Sequence, residues 1–251
     1  MARADLVRRP RRLFVAGVLL ALIASLVPFS AVLAVASVAP ATGGGAISAD
    51  TANTAWTALT GPVVTEGGAA TFGNGTVVLN APDGFRFRAG FGSVAFSGAG
   101  CTLSVGPGLT VIAATATFTI SGAPSGAATC VLTYSALQVQ PTAGAVTAGS
   151  ITRSGAATGL PGGSYGTLMT VAGAPDHLAF MSYPAATGPA ILTPQPSVAV
   201  ADQFGNVVTT DSRAITLAIN NASLEASPDV MLNTTQVTAA RPPGPSFVVS
   251  V

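Results

Sequence analysis

The chain has 251 residues, room for one large or two ordinary domains, and 49% of them are apolar, which argues against disorder despite 29 Gly and 18 Pro. Charged residues make up only 8%, Lys is absent, and five of the ten Arg (Arg3, Arg8, Arg9, Arg11 and Arg12) fall in the first twelve positions. The remainder carries five Arg against eight Asp or Glu, a weakly acidic body that cannot neutralise a run of phosphates, so nucleic acid is set aside as a partner.

Residues 1–36 have the three-part layout of a secretory signal. Arg8-Arg9-Pro10-Arg11-Arg12 is the basic block. Leu13 to Leu33 is an apolar run broken only by Gly17, Ser25, Pro28 and Ser30. Ala34-Val35-Ala36 supplies small residues at the −3 and −1 positions, which places cleavage after Ala36, with Ala39-Pro40-Ala41 a poorer second choice. The run of about 21 residues also suffices to span a ~30 Å hydrocarbon core, so an uncleaved signal anchor is the alternative. Pro28 and the small residues after it favour cleavage. Both readings export the rest of the chain, and the membrane is met only through this segment.

Residues 37–45, with Thr42-Gly43-Gly44-Gly45, read as a flexible leader. A first β-sandwich is expected over 46–172, because short runs of period two alternate with turn residues every ten or so positions. Val77 and Leu79 alternate with Thr76 and Val78, and Asn80-Ala81-Pro82-Asp83-Gly84 is a turn. Phe85 and Phe87 face one way, Arg86 and Arg88 the other. Ala116, Phe118 and Ile120 alternate with Thr115, Thr117 and Thr119; Cys130, Leu132 and Tyr134 alternate with Val131 and Thr133. Cys101 and Cys130 are the only cysteines, and an even count in an oxidising compartment predicts a disulfide. Two thiols without a neighbouring His do not make a zinc site.

Ala172-Gly173-Ala174-Pro175 is a short linker into a second set of strands, giving a second domain over 173–251. Asp176-His177-Leu178-Ala179-Phe180, then Gln195-Pro196-Ser197, Val198 to Asn206 and Ala214-Ile215-Thr216-Leu217 resemble the bacterial immunoglobulin-like (Big or invasin-type) repeats of secreted surface proteins, clearest over 176–219. In that family a strand enters an Asp-x-x-Gly-Asn turn and the next strand returns across the sheet. Arg241-Pro242-Pro243-Gly244-Pro245 departs from the pattern, so the second domain is expected to be incomplete, or the chain a fragment of a longer repeat protein. The resemblance implies a bacterial source. In the first domain, Leu79-Asn80-Ala81-Pro82-Asp83-Gly84-Phe85 is similar to stretches of cohesin-like sandwiches. The expected fold class is therefore all-β: two immunoglobulin-like β-sandwich domains after an N-terminal signal helix.

Candidate chemistry is sparse. His177 is the only histidine, and it sits at a strand end after a linker rather than beside a nucleophile. Gly162-Gly163-Ser164-Tyr165-Gly166 has Gly-x-Ser-x-Gly spacing, but a loop precedes it and a strand-like run follows, where a nucleophile elbow needs a strand and then a helix. The acids, from Asp50 to Asp229, offer no local pair for glycoside cleavage. Asp202, Asn206 and Asp211 flank one hairpin and are the calcium candidates; the competing reading has Asp202 and Asn206 bonding turn amides around Gly205. Arg86 and Arg88 share a strand face that could grip an acidic sugar or simply keep the face solvated. Trp56, Tyr134, Tyr165 and Tyr183 are the aromatic platforms, beside Phe residues, on which sugars could stack. Asn74, Asn221 and Asn233 match the glycan-acceptor pattern, which carries little weight in a bacterium. The function expected is that of a secreted or cell-surface, non-catalytic stalk or binding module of an adhesin-like protein, needing no cofactor and meeting surface proteins or glycans. The alternative is a carbohydrate-binding module or accessory domain of a secreted polysaccharide-active enzyme.

Overall fold

The computed structural model describes residues 35–68, 70–123, 129–182 and 197–215, with the backbone alone of 217–219 and 247–249. The signal segment through Ala34, Tyr183, Asn221, Asp229, Asn233 and the Arg241–Pro245 stretch lie outside the described residues. The described chain is all-β. Its first strands are β1 (Ser37–Ala39), β2 (Ile47–Ser48), β3 (Thr57–Ala58), β4 (Val63–Thr65), β5 (Gly75–Asn80) and β6 (Phe85–Phe87). Then come β7 (Ser93–Ser97), β8 (Ser104–Val111), β9 (Thr115–Ser121), β10 (Val131–Ser135), β11 (Gln138–Pro141), β12 (Ala148–Ser154) and β13 (Gly166–Val171). Last are β14 (His177–Ser182), β15 (Ser197–Ala201), β16 (Leu217–Ile219) and β17 (Phe247–Val249). A single 3-10 turn, Ala49–Thr51, interrupts them. No helix among the described residues is long and apolar enough to cross a membrane.

One layer of the sandwich is a six-stranded sheet in the order β2-β13-β12-β5-β9-β8. The other consists of a four-stranded sheet, β1-β4-β10-β7, and a three-stranded one, β3-β11-β6. These two run on into one another, since β3 leads to β4, β6 to β7 and β10 to β11. The break on the β10–β11 path falls at Ala136, held at φ 54. The core lies between the layers. Alternation supplies it from both sides: Val77, Leu79, Ala116, Phe118, Ile120 and Ile151 from the six-stranded sheet, Val64, Phe85, Phe87, Leu132, Tyr134 and Val139 from the other, all buried. Phe118 meets Tyr134 edge to face at 5.8 Å between ring centroids. Burial drives the Tyr134 phenol far above its ordinary pKa, so it stays neutral; Tyr165, also raised by burial, gives its hydroxyl to Pro161 O at 2.9 Å.

The predicted disulfide is formed. Cys101 and Cys130 are bridged with Cα atoms 5.3 Å apart, tying the start of β10 to the segment before β8. Beside it lies Glu66, 4% exposed. Its carboxylate accepts from the backbone N–H groups of Phe72 and Cys130, both at 2.7 Å, and so replaces the water it lost on burial.

The expected leader over 37–45 is instead woven into both layers. β1 pairs antiparallel with β4, Ala41 bridges Gly166 and Thr42 bridges Thr60. The glycines serve close packing rather than looseness. A Cβ on Gly44 would fall 2.4 Å from Leu168 Cδ2 and 2.9 Å from Thr167 O.

Beyond Val171 the chain passes through Ala172–Pro175 into the β14–β15 pair, in antiparallel register with His177 opposite Ala201 and Phe180 opposite Val198. Val200, Val208 and Ile215 form a small separate cluster there, with Ala172, Leu178 and Val198 against it. β16 and β17 run parallel.

Candidate functional site

The outer face of the β3-β11-β6 sheet gathers the polar and aromatic groups of the first region. With Phe85, Phe87 and Val139 turned to the core, Arg86 is left on the opposite face of β6, and Arg88 follows just past the strand's end. In the β11–β6 register Gln140 lies opposite Arg86, and the Arg88 N–H continues the ladder to Gln138 O at 2.9 Å. Trp56 enters from the loop between the 3-10 turn and β3. The Arg86 guanidinium carbon lies 5.6 Å from the Trp56 ring centroid and that of Arg88 5.9 Å. Arg88 also stacks on Phe91, 3.5 Å from its centroid.

Gln140 holds this arrangement. Its side-chain amide donates to Thr51 O at 3.1 Å and Ala55 O at 2.9 Å, fixing the loop that carries Trp56. Its oxygen accepts from Arg86 Nε at 3.1 Å and Nη2 at 2.6 Å. Gln138 Oε1 does the same for Arg88 Nη1 at 2.8 Å. Both guanidinium groups are thus oriented by neutral partners and keep their charge unmatched. The acid–base pairs among the described residues are Arg213 with Asp211 and His177 with Asp176, not Arg86 or Arg88.

The calcium candidates are disposed differently. Asp202 is fully buried. Its Oδ1 accepts from the N–H groups of Phe204 and Asn206, each at 2.9 Å, and its Oδ2 from Gly173 N at 2.7 Å and Asn206 Nδ2 at 2.8 Å. Burial alone would raise its pKa, but the bonds from the Asn206 side chain and from the Gly173, Asn206 and Phe204 amides outweigh it and hold the carboxyl below its ordinary value. Asp211 instead accepts from Arg213, with Nη2 2.5 Å from Oδ2. Asp202 and Asn206 therefore come together as a turn whose lone pairs face N–H donors. Asn206 also bonds outward, its Nδ2 to Gly144 O at 2.6 Å and its Oδ1 from Val146 N at 3.2 Å. Asp50 completes this contact, accepting from Ala174 N at 2.7 Å and Gln203 Nε2 at 3.0 Å.

His177 is exposed, with Nδ1 3.0 Å from Asp176 Oδ2, in a shallow hollow also lined by Pro175, Leu178, Val200 and Arg213. Ser164 Oγ accepts from Gly166 N–H at 3.3 Å within its own turn, where β13 begins. Among the described residues no three His, Cys, Asp or Glu side chains gather as a metal site. Gln138 and Gln140 are residues of this face that the sequence reading does not name. The matched Arg-x-Arg and Gln-x-Gln spacings are a usable signal for them once the strands are paired.

No family model matches the chain, and no curated protein does. Among solved structures it is similar to a non-cellulosomal cohesin from the hyperthermophilic archaeon Archaeoglobus fulgidus, at 15% identity and a TM-score of 0.32, over 55% of this chain and 92% of that one. A likeness at that score carries no argument about function.

Proposed function

We propose that this chain is an exported or cell-surface, non-catalytic binding or stalk module of an adhesin-like protein. The observation that carries the reading is the Trp56, Arg86, Arg88 and Phe91 face, fixed from behind by Gln138 and Gln140, with Phe91 exposed and the other three half-buried. Groups held this firmly on a sheet face offer a recognition surface. The Cys101–Cys130 bridge supports an oxidising compartment, and the signal layout of residues 1–36 supplies the route. The resemblance of 176–219 to bacterial immunoglobulin-like repeats favours the adhesin-like setting.

The second reading, a carbohydrate-binding module of a secreted polysaccharide-active enzyme, is favoured by Trp56 itself, the single tryptophan, half-exposed on that face. The test is a binding panel of matrix proteins, polysaccharides and whole neighbouring cells, with hydrolase assays on the same material. Saturable binding weakened by Trp56→Ala is expected. Hydrolysis of a polymer with no binding partner in the panel would overturn the proposal.

A further inference from the structure

We infer that the Trp56–Arg86–Arg88 face binds an acidic polysaccharide, a glycan whose sugars carry carboxylate or sulfate groups. The inference rests on the binding-module reading and names its ligand.

Charge is the first argument. Arg86 spends two of its five N–H donors on Gln140, and Arg88 spends one on Gln138, so each fork keeps an edge for a planar anion. Neither is matched by a carboxylate among the described residues. The nearest acid in sequence to the Trp56 loop, Asp50, is already occupied by Ala174 and Gln203. Two unmatched guanidinium groups on one face are too few to neutralise a run of phosphates, but they suit the spaced acidic substituents of a glycan.

Geometry is the second. Residues two apart on a strand stand roughly 6.6–7 Å apart, so Arg86 and Arg88 can address anionic groups on neighbouring units of a polymer together. Their forks are set before a ligand arrives, because Gln140 and Gln138 fix them and Phe91 backs Arg88. Preset donors lose little entropy on binding.

Backbone pairing separates a glycan from an acidic peptide. Peptides commonly bind sheets by adding a strand, which needs free backbone groups. The strand bearing the arginines is flanked on both sides. It pairs with β11 on one side, while on the other the Phe87 N–H bonds Ala113 O at 2.8 Å and the Gly90 N–H bonds Val111 O at 3.0 Å. On its outer face that strand offers side chains: two guanidinium forks, beside the rings of Trp56 and Phe91. Aromatic faces take the apolar C–H faces of sugar rings while the forks take their acidic substituents.

The experiment uses the purified full chain and titrates it by calorimetry with polygalacturonate, chondroitin sulfate, neutral dextran and poly-glutamate. Saturable binding to one or both acidic glycans is expected, and the first two arms tell carboxylate from sulfate. Arg86→Gln and Arg88→Gln should each weaken it about tenfold. The double Lys variant keeps the charge but loses the fork, and should bind more weakly than the native chain. Circular dichroism and the intact disulfide report folding of each variant. If a Gln variant fails to fold, the native chain in rising salt replaces it, with steadily weakening affinity expected. Preference for poly-glutamate, or acidic-glycan binding unchanged in the folded double Gln variant, would overturn the inference. Dextran binding lost in Trp56→Ala would overturn it while leaving the module reading intact. No binding to any of the four polymers would overturn the inference alone, and the wider panel above then decides the module reading.

Discussion

Residues 35–171 and the described residues from 176 onward are both built from short strands, yet they are held by different forces. The first region closes two layers over a continuous apolar core and adds a disulfide. The second buries only Val200, Val208 and Ile215 as its cluster and leans on a polar device, the Asp202 turn, bonded to Gly173 and through Asn206 to Gly144 and Val146. Both regions hold a buried carboxylate on amides, Glu66 in the first and Asp202 in the second, but the first has a large core and a disulfide beside it and the second does not. The lesson is that the turn read from sequence as a hairpin end is also the fastening between the two regions.

The largest effect should come from the core. Phe118→Ala removes the ring packed on Tyr134 and should cost about 3–5 kcal/mol, read as a lower urea midpoint of the first region. Equal loss in the second region would break the comparison. Next, Cys101→Ser with Cys130→Ser, or reduction of the bridge, should destabilise the first region by about 3–4 kcal/mol in the chain-entropy view. Hydrogen exchange should quicken around β10 and β8 and stay unchanged around β14 and β15.

Asp202→Asn reverses the pattern. An amide has one acceptor oxygen, so two of the four donors on Asp202 would face an NH2 group instead. A loss of about 2 kcal/mol is expected, seen as faster amide exchange in 173–182 and 197–206 with β5 and β9 protected. Acid should mimic it. The folded pKa lies below the unfolded value of about 4, so the unfolded state takes up the proton first. The stabilisation is complete above pH about 4 and is lost as pH falls through the folded value. The second region should therefore loosen first on acidification, and Asp202→Asn should abolish that acid step.

Much of this was legible in the sequence, and the legible parts share a cause. Alternation in Phe85–Phe87, Thr115–Ser121 and Val131–Ser135 marks the buried faces because a strand exposes every second residue, and the burial patterns agree. The disulfide followed from compartment and count. Whatever depends on register was hidden. Trp56 meets Arg86 and Arg88 only because β3 and β6 flank β11 and Gln140 draws the Trp56 loop over them, none of which a local pattern encodes. The Thr42–Gly45 stretch misled because glycine reads as freedom, although Gly44 is small to make room for Leu168. The smallest predicted effect sharpens that point. Gly44→Ala should cost about 1–3 kcal/mol, whereas Gly45→Ala, which meets nothing within 4 Å, should stay within about 0.5 kcal/mol in thermal unfolding.

Because Trp56 is the single tryptophan, its fluorescence reports on the recognition face alone. Quenching by iodide and by caesium measures the local charge: two guanidinium groups within 6 Å of the ring should draw the anion in and repel the cation. The expected result is iodide quenching severalfold stronger than caesium quenching at low salt, with the gap closing in the Arg86→Gln, Arg88→Gln chain. A ring quenched equally by both ions in the native protein, or shielded from both, would contradict an open, cation-flanked aromatic surface.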